Sequence, residues 1–143
     1  MGYTHYFNHN REATQDEWDQ LVEGTKALFE ALPDGVVIAE EYDKPHLPPI
    51  ANAQEIRFNG VDDLGHETFL LEPHAPGNFT FCKTARKPYD LVVCGVLILA
   101  HDIAPGLLRI DSDGGIEDGW GEALEWTRAV FNDPSLKLPF EEE

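Results

Sequence analysis

The residues best suited to chemistry fall in one short stretch, Phe81-Cys82-Lys83-Thr84-Ala85-Arg86-Lys87-Pro88-Tyr89-Asp90, followed by an apolar run to Ala100 and then His101. The chain has ten Lys and Arg against 27 Asp and Glu, yet Lys83, Arg86 and Lys87 all lie here, and no acid occurs between Glu72 and Asp90. An Arg grips a phosphate or carboxylate through two parallel N–H bonds, whereas a Lys acts as a compact point charge. Pro88 suits a first helical position, because it has no N–H to lose and its φ is preset. The three cations would then stand at the positive end of a helix dipole, where they are disfavoured unless an anion binds. Thr84 and the backbone amides around Pro88 would add donors. The plainer alternative is that these side chains neutralise neighbouring acids, Asp90 included, across a solvated surface.

Other groupings offer weaker chemistry. Tyr3, Tyr6, Asn59, Phe69, Phe81 and Tyr89 could form an aromatic and amide floor, with rings to stack on a base and an amide to read its edge. His5 would add a polar group facing the same pocket. Aromatic residues at alternate strand positions normally fill interiors, so a plain core is the competing reading. Cys82 beside Lys83 and Arg86 could act as a nucleophile with His5 or His66 as base, and His66 with Glu67 could serve in acid–base work. His5, His66, Glu67, His74, Cys82 and His101 are metal-ligand types, but no C-x-x-C or H-x-x-x-H spacing joins them. Asp111 to Gly114 opens like a calcium loop and lacks its later ligands. The expectation is therefore no metal and no cofactor.

The elements that must position these groups follow from periodicity and punctuation. Tyr3 to Asn8 reads as a strand. Thr14 with Glu17 makes a capping box, and Trp18, Leu21, Val22, Thr25, Leu28, Phe29 and Leu32 recur on one helical face until Pro33-Asp34-Gly35 stops it. Short strands are expected at Val36–Ala39, Glu55–Asn59, Glu67–Glu72 and Phe79–Cys82, with a Pro-rich loop over Glu40–Pro49. The run Leu91–Ala100 favours a buried helix starting at Pro88. Leu107–Asp111 reads as a last strand. Ile116, Trp120, Ala123, Leu124, Thr127, Val130 and Phe131 mark a terminal helix. The expected fold is α+β, a mostly antiparallel sheet with three helices in the order β-α-β-β-β-β-α-β-α. One domain over residues 1–133 is followed by an acidic tail, 134–143, expected to fray.

Composition bounds the partners. The apolar content of 42% is that of a folded protein, so a formal charge of −17 does not signal disorder. That charge argues against general nucleic-acid binding. Five lysines among widely spread acids also suit a high-salt, halophilic cytosol, where screening weakens self-repulsion. Two cysteines make no disulfide framework, no signal-like segment opens the chain, and the longest apolar run is too short for a bilayer. A cytoplasmic protein is expected, with no membrane partner.

The opening Met-Gly-Tyr-Thr-His-Tyr, with Phe58-Asn59-Gly60, Gly65-His66-Glu67-Thr68-Phe69, Phe81 to Asp90 and Ser112-Asp113-Gly114, resembles a family of small phage, prophage and bacterial proteins without a settled activity. The resemblance runs to about residue 130 and implies architecture and candidate positions; a phage setting would fit sequestration of a host nucleotide signal. The function expected is a binding protein for a small anionic, nucleotide-like or phosphorylated ligand. Its site would be drawn from Lys83, Thr84, Arg86, Lys87, Tyr3, His5, Asn59 and Tyr89. The alternatives are a small hydrolase or transferase using Cys82 or His66, and an acidic protein that engages a basic partner or mimics nucleic acid. A homodimer is the expected assembly.

Overall fold

Ten consecutive apolar residues, Leu91–Ala100, have no polar face to offer water, so the rest of the chain must cover them. A computed structural model, describing residues 3–74 and 80–140, shows how this is done. The elements are β1 (Thr4–His9), α1 (Gln15–Phe29), β2 (Ile38–Ala39), β3 (Ile50–Ala51), β4 (Ile56–Gly60), β5 (Phe69–Leu71), β6 (Phe81–Lys83), α2 (Asp90–Ile103), β7 (Leu108–Ser112) and α3 (Trp120–Phe131), with 3₁₀ turns at Asp62–Leu64 and Ile116–Asp118. The α+β class, the three helices and the antiparallel pairing are as the sequence indicates. No helix among the described residues is long and apolar enough to cross a membrane.

The strands form two small sheets rather than one. In the first, β1 lies between β6 and β7, both antiparallel to it. In the second, β4 is the spine: Ile38 and Ala39 pair with Gly60 and Asn59, Ile50 and Ala51 with Arg57 and Ile56, and β5 with residues 56–58. Strand β3, two residues long, was not expected; it follows directly on the Pro-rich loop. Phe79, expected in a strand, lies outside the described residues, and β6 begins at Phe81.

Helix α1 keeps its capping box: the Glu17 amide donates to Thr14 Oγ1 and the Thr14 amide to Glu17 Oε1. Arg11 holds that same carboxylate with two bonds, of 2.8 and 2.9 Å, and its hydrogen bonds pull the Glu17 carboxyl down to about 2. Trp18, Leu21, Val22, Thr25 and Leu28 are buried as the spacing requires. On α3 the buried face is Trp120, Ala123, Leu124 and Thr127, while Ile116 falls in the preceding 3₁₀ turn and is exposed. Helix α2 starts at Asp90, not at Pro88, which belongs to the turn leading in.

The described part of the segment after Pro134 packs against the helices. Leu136 is buried, Arg128 Nε and Nη2 both donate to its carbonyl, and Phe140 meets Trp120 edge-on at 5.0 Å. Residues 141–143 lie outside the described residues.

Helix α2 packs against α1 and α3 closely enough that Gly95 has room for no side chain. A Cβ there would sit 3.0 Å from the Trp126 ring and 3.2 Å from both Leu28 and Thr127 Oγ1. Gly95→Val is expected to cost about 2–3 kcal/mol of stability in chemical denaturation, since overpacking must displace all three neighbours.

Candidate functional site

The site is built around two buried polar side chains, His5 on β1 and Asp90 in the first turn of α2. Alternation along β1 sends His5 and Phe7 inward, and both have no exposed surface. His5 Nε2 meets Asp90 Oδ1 at 2.6 Å, and the same oxygen accepts the Thr84 hydroxyl at 2.7 Å. On the other side of the ring, His5 Nδ1 lies 2.8 Å from Ser112 Oγ, because Ser112 is the register partner of His5 on β7. Tyr3 and Trp120 flank the imidazole edge-on, each at 5.1 Å.

Counting hydrogens assigns the tautomer. Ser112 Oγ accepts the Gly114 amide at 3.1 Å and the Trp120 indole N–H at 3.0 Å. A hydroxyl has two acceptor sites and one proton. With both sites used, Ser112 donates its proton to His5 Nδ1, and His5 donates from Nε2 to Asp90. The chain of bonds therefore runs Ser112 to His5 to Asp90, with Thr84 joining at the carboxylate.

This count bears on metal binding. Among the described residues His5, Asp90 and Cys94 are the one group whose ligand atoms, all within 4.8 Å of one another, could hold an ion. Cys94 Sγ is 3.6 Å from both His5 Nε2 and Asp90 Oδ2. A ligating Nε2 needs its lone pair, but the Ser112 hub leaves the proton there. Burial, with Asp90 next to it, pushes the Cys94 thiol up. The donor set fits a polar clamp better than a metal centre.

Above the clamp sits a strained turn. Thr84 to Lys87 closes with Lys87 N–H donating to Thr84 O at 3.0 Å, and Ala85 and Arg86 have φ of +52° and +60°. This is a type I′ turn, normally filled by Asn-Gly; side chains with a Cβ are penalised there by about 1–2 kcal/mol each. The amides of Thr84 and Ala85 both donate to Tyr3 O. The turn thereby holds the Arg86 guanidinium 4.2 Å over the Tyr3 ring, with Asp118 3.5 Å away. Tyr3 in turn donates its hydroxyl to Asp118 O. Gly114 is needed for this, since a Cβ there would collide with the Tyr3 hydroxyl and ring.

Beside the turn lies a cleft of about 320 Å³, lined among others by Arg86, Lys87, Asp90, Asp118, Gly119 and Glu122. Asp90 is its floor, 8% exposed. Arg86 and Lys87 share this hollow; Lys83 does not line it. Lys87 Nζ also donates to Asp63 O. The dipole conflict inferred from sequence is answered within the chain, because the Asp90 carboxylate itself occupies the first turn of α2.

The remaining candidates lie away from this cleft. All four hydrogen-bonding capacities of the buried Asn59 amide are filled: Nδ2 donates to His66 O and Thr68 Oγ1, and Oδ1 accepts the Gly60 and His66 amides. It shapes the 60–66 loop and has no bond left for a ligand. Tyr89 is buried and donates to Glu67 O. Cys82 is fully buried, and burial pushes its thiol up rather than down, so it lacks an activated thiolate. His66 is exposed on its loop. Ser112 and Cys94 carry no sequence signal, and neither does the tie of Asp90 to His5: the three meet His5 across 85 to 107 positions.

Two substitutions test this geometry. Asp90→Ala orphans the His5 and Thr84 donors and is expected to cost about 3–5 kcal/mol, while Asp90→Asn, whose amide oxygen still accepts, costs clearly less. Ala85→Gly removes a Cβ from a positive-φ position and is expected to raise stability by about 1 kcal/mol in the same denaturation assay.

No family model matches the chain, and no curated protein or solved structure matches it.

Proposed function

We propose that the protein binds a small molecule carrying an anionic group together with hydrogen-bond donors, a nucleotide-like or phosphorylated compound, in the cleft beside Arg86. The observation that carries this reading is the strained Thr84–Lys87 turn. Two residues adopt a backbone conformation that disfavours them, and what the strain secures is an arginine stacked on an aromatic ring at the rim of a hollow. Strain retained in a loop is a pointer to function, and here the bonds from the turn to Tyr3 and Asp90 hold it in place.

The charge pattern of the cleft narrows the ligand. Arg86 and Lys87 face Asp34, Asp90, Asp118 and Glu122. A bare anion would meet more repulsion than attraction there. A compound with a phosphate at one end and hydroxyl or amine groups at the other matches both signs: the anionic end on Arg86 and Lys87, the donors on the carboxylates. The present Arg86–Asp118 contact is exposed and long, worth little, and is readily exchanged for a ligand. His5, Thr84 and Tyr3 act from beneath, by fixing Asp90 and the turn. Should the resemblance to phage proteins reflect descent, the role would be sequestration of a host nucleotide signal.

The test is a melting-temperature screen against nucleotides and sugar phosphates, followed by calorimetry on any compound that stabilises the protein. Arg86→Ala is expected to weaken binding at least about tenfold, the loss of one charge-assisted contact, while Lys83→Ala binds like the parent. No stabilisation by any such compound, or equal binding by the Arg86→Ala protein, would refute the proposal.

A further inference from the structure

A second hollow has the opposite charge character to the rest of the molecule. We infer that the groove between the end of α2, α3 and the segment Lys137–Phe140 binds a small organic anion with an apolar body, such as an aryl or short alkyl carboxylate. It measures about 580 Å³, within the range of small-molecule sites. Its walls carry three basic side chains, His101, Arg128 and Lys137, and no acid among the described residues; Leu124, Leu138 and Phe140 supply apolar surface. In a chain with 27 acids and ten Lys and Arg, a hollow whose described lining has bases and no acids favours an anion over a cation. The cleft beside Arg86 sets four acids against two bases, so this inference stands apart from the function proposed there.

The groove is also preorganised. Arg128 is held by bonds of 3.0 and 2.8 Å from Nε and Nη2 to Leu136 O, which fix the plane of its guanidinium. Its nearest carboxylate, Glu125 at 3.6 Å, has a side chain 79% exposed, and such a pair neutralises little. His101 sits in the last turn of α2, where the helix dipole favours a cation. Among the described residues, neither His101 nor Lys137 has a carboxylate within salt-bridge reach. The apolar side is rigid: Phe140 is seated against the buried Trp120, and Leu136 anchors the segment next to Lys137. Apolar contact without charge would not distinguish this groove from others on the molecule; the cations Arg128 and Lys137, with the imidazole of His101 beside them, make it selective for an anionic head.

The experiment follows the fluorescence of 8-anilinonaphthalene-1-sulfonate added to the folded, full-length protein, with decanoate and decylammonium as competitors. These two share a ten-carbon body and differ in the sign of the head. The proposal expects saturable one-to-one binding, with decanoate displacing the dye at concentrations at least about tenfold lower than decylammonium. Lys137→Glu and His101→Glu should each weaken the dye about fivefold or more in protein that remains folded by circular dichroism, while Arg86→Ala leaves it as it is. Equal competition by the two decyl compounds, or dye binding indifferent to both charge reversals, overturns it.

Discussion

The structure depends on one run of hydrogen bonds buried where four segments meet. Ser112 on β7 donates to His5 on β1, His5 donates to Asp90 at the start of α2, and Thr84 from the turn after β6 donates to the same oxygen. Trp120 of α3 joins through its indole N–H. Each group is satisfied only if every neighbour is in place, which is what gives a buried polar network its specificity. An apolar core alone would let the first sheet slide or rotate against α2; this set of bonds accepts one arrangement.

Position of the cleft is a consequence of that clamp. Asp90 cannot leave the floor without orphaning two donors, and Thr84 cannot leave Asp90 without releasing the turn. The turn holds Ala85 and Arg86 in conformations that the local sequence does not favour. Tyr3 receives two amides of the turn on its carbonyl and presents its ring to Arg86, so one residue ties β1 to both sides of the hollow. Rigid support beneath a flexible guanidinium is the usual way a binding group is aimed without being buried. The same logic holds at the second hollow, where Leu136 and Phe140 fix the backbone that carries Lys137.

How far this could be read from the residues depended on the range of the interaction. The capping box at Thr14 and the apolar face of α1 are local and periodic, and both are found as the spacing requires. Composition and length sufficed for α2, since ten apolar residues can only be interior. The two-sheet arrangement could not be inferred, because β2 and β3 are two residues each and owe their pairing to β4. Asp90 illustrates the harder failure. Beside Lys87 in sequence it looks like a surface counter-ion, yet its partners come from residue 5 and residue 84. Asn59 and Tyr89 were chosen for what their side chains can offer a ligand, and the fold uses those same capacities internally. The tail 134–143 reads from its terminal glutamates as an acidic end, which gives no hint that Leu136, Pro139 and Phe140 find apolar seats that only the packed helices create.

The clamp makes a claim about a single proton. Long-range ¹H–¹⁵N correlation on the imidazole of His5, in the folded protein at neutral pH, would locate it. The account predicts the proton on Nε2, shared toward Asp90, with Nδ1 bare and accepting from Ser112. A proton on Nδ1, or protons on both nitrogens, would contradict the assignment and with it the direction of the whole network.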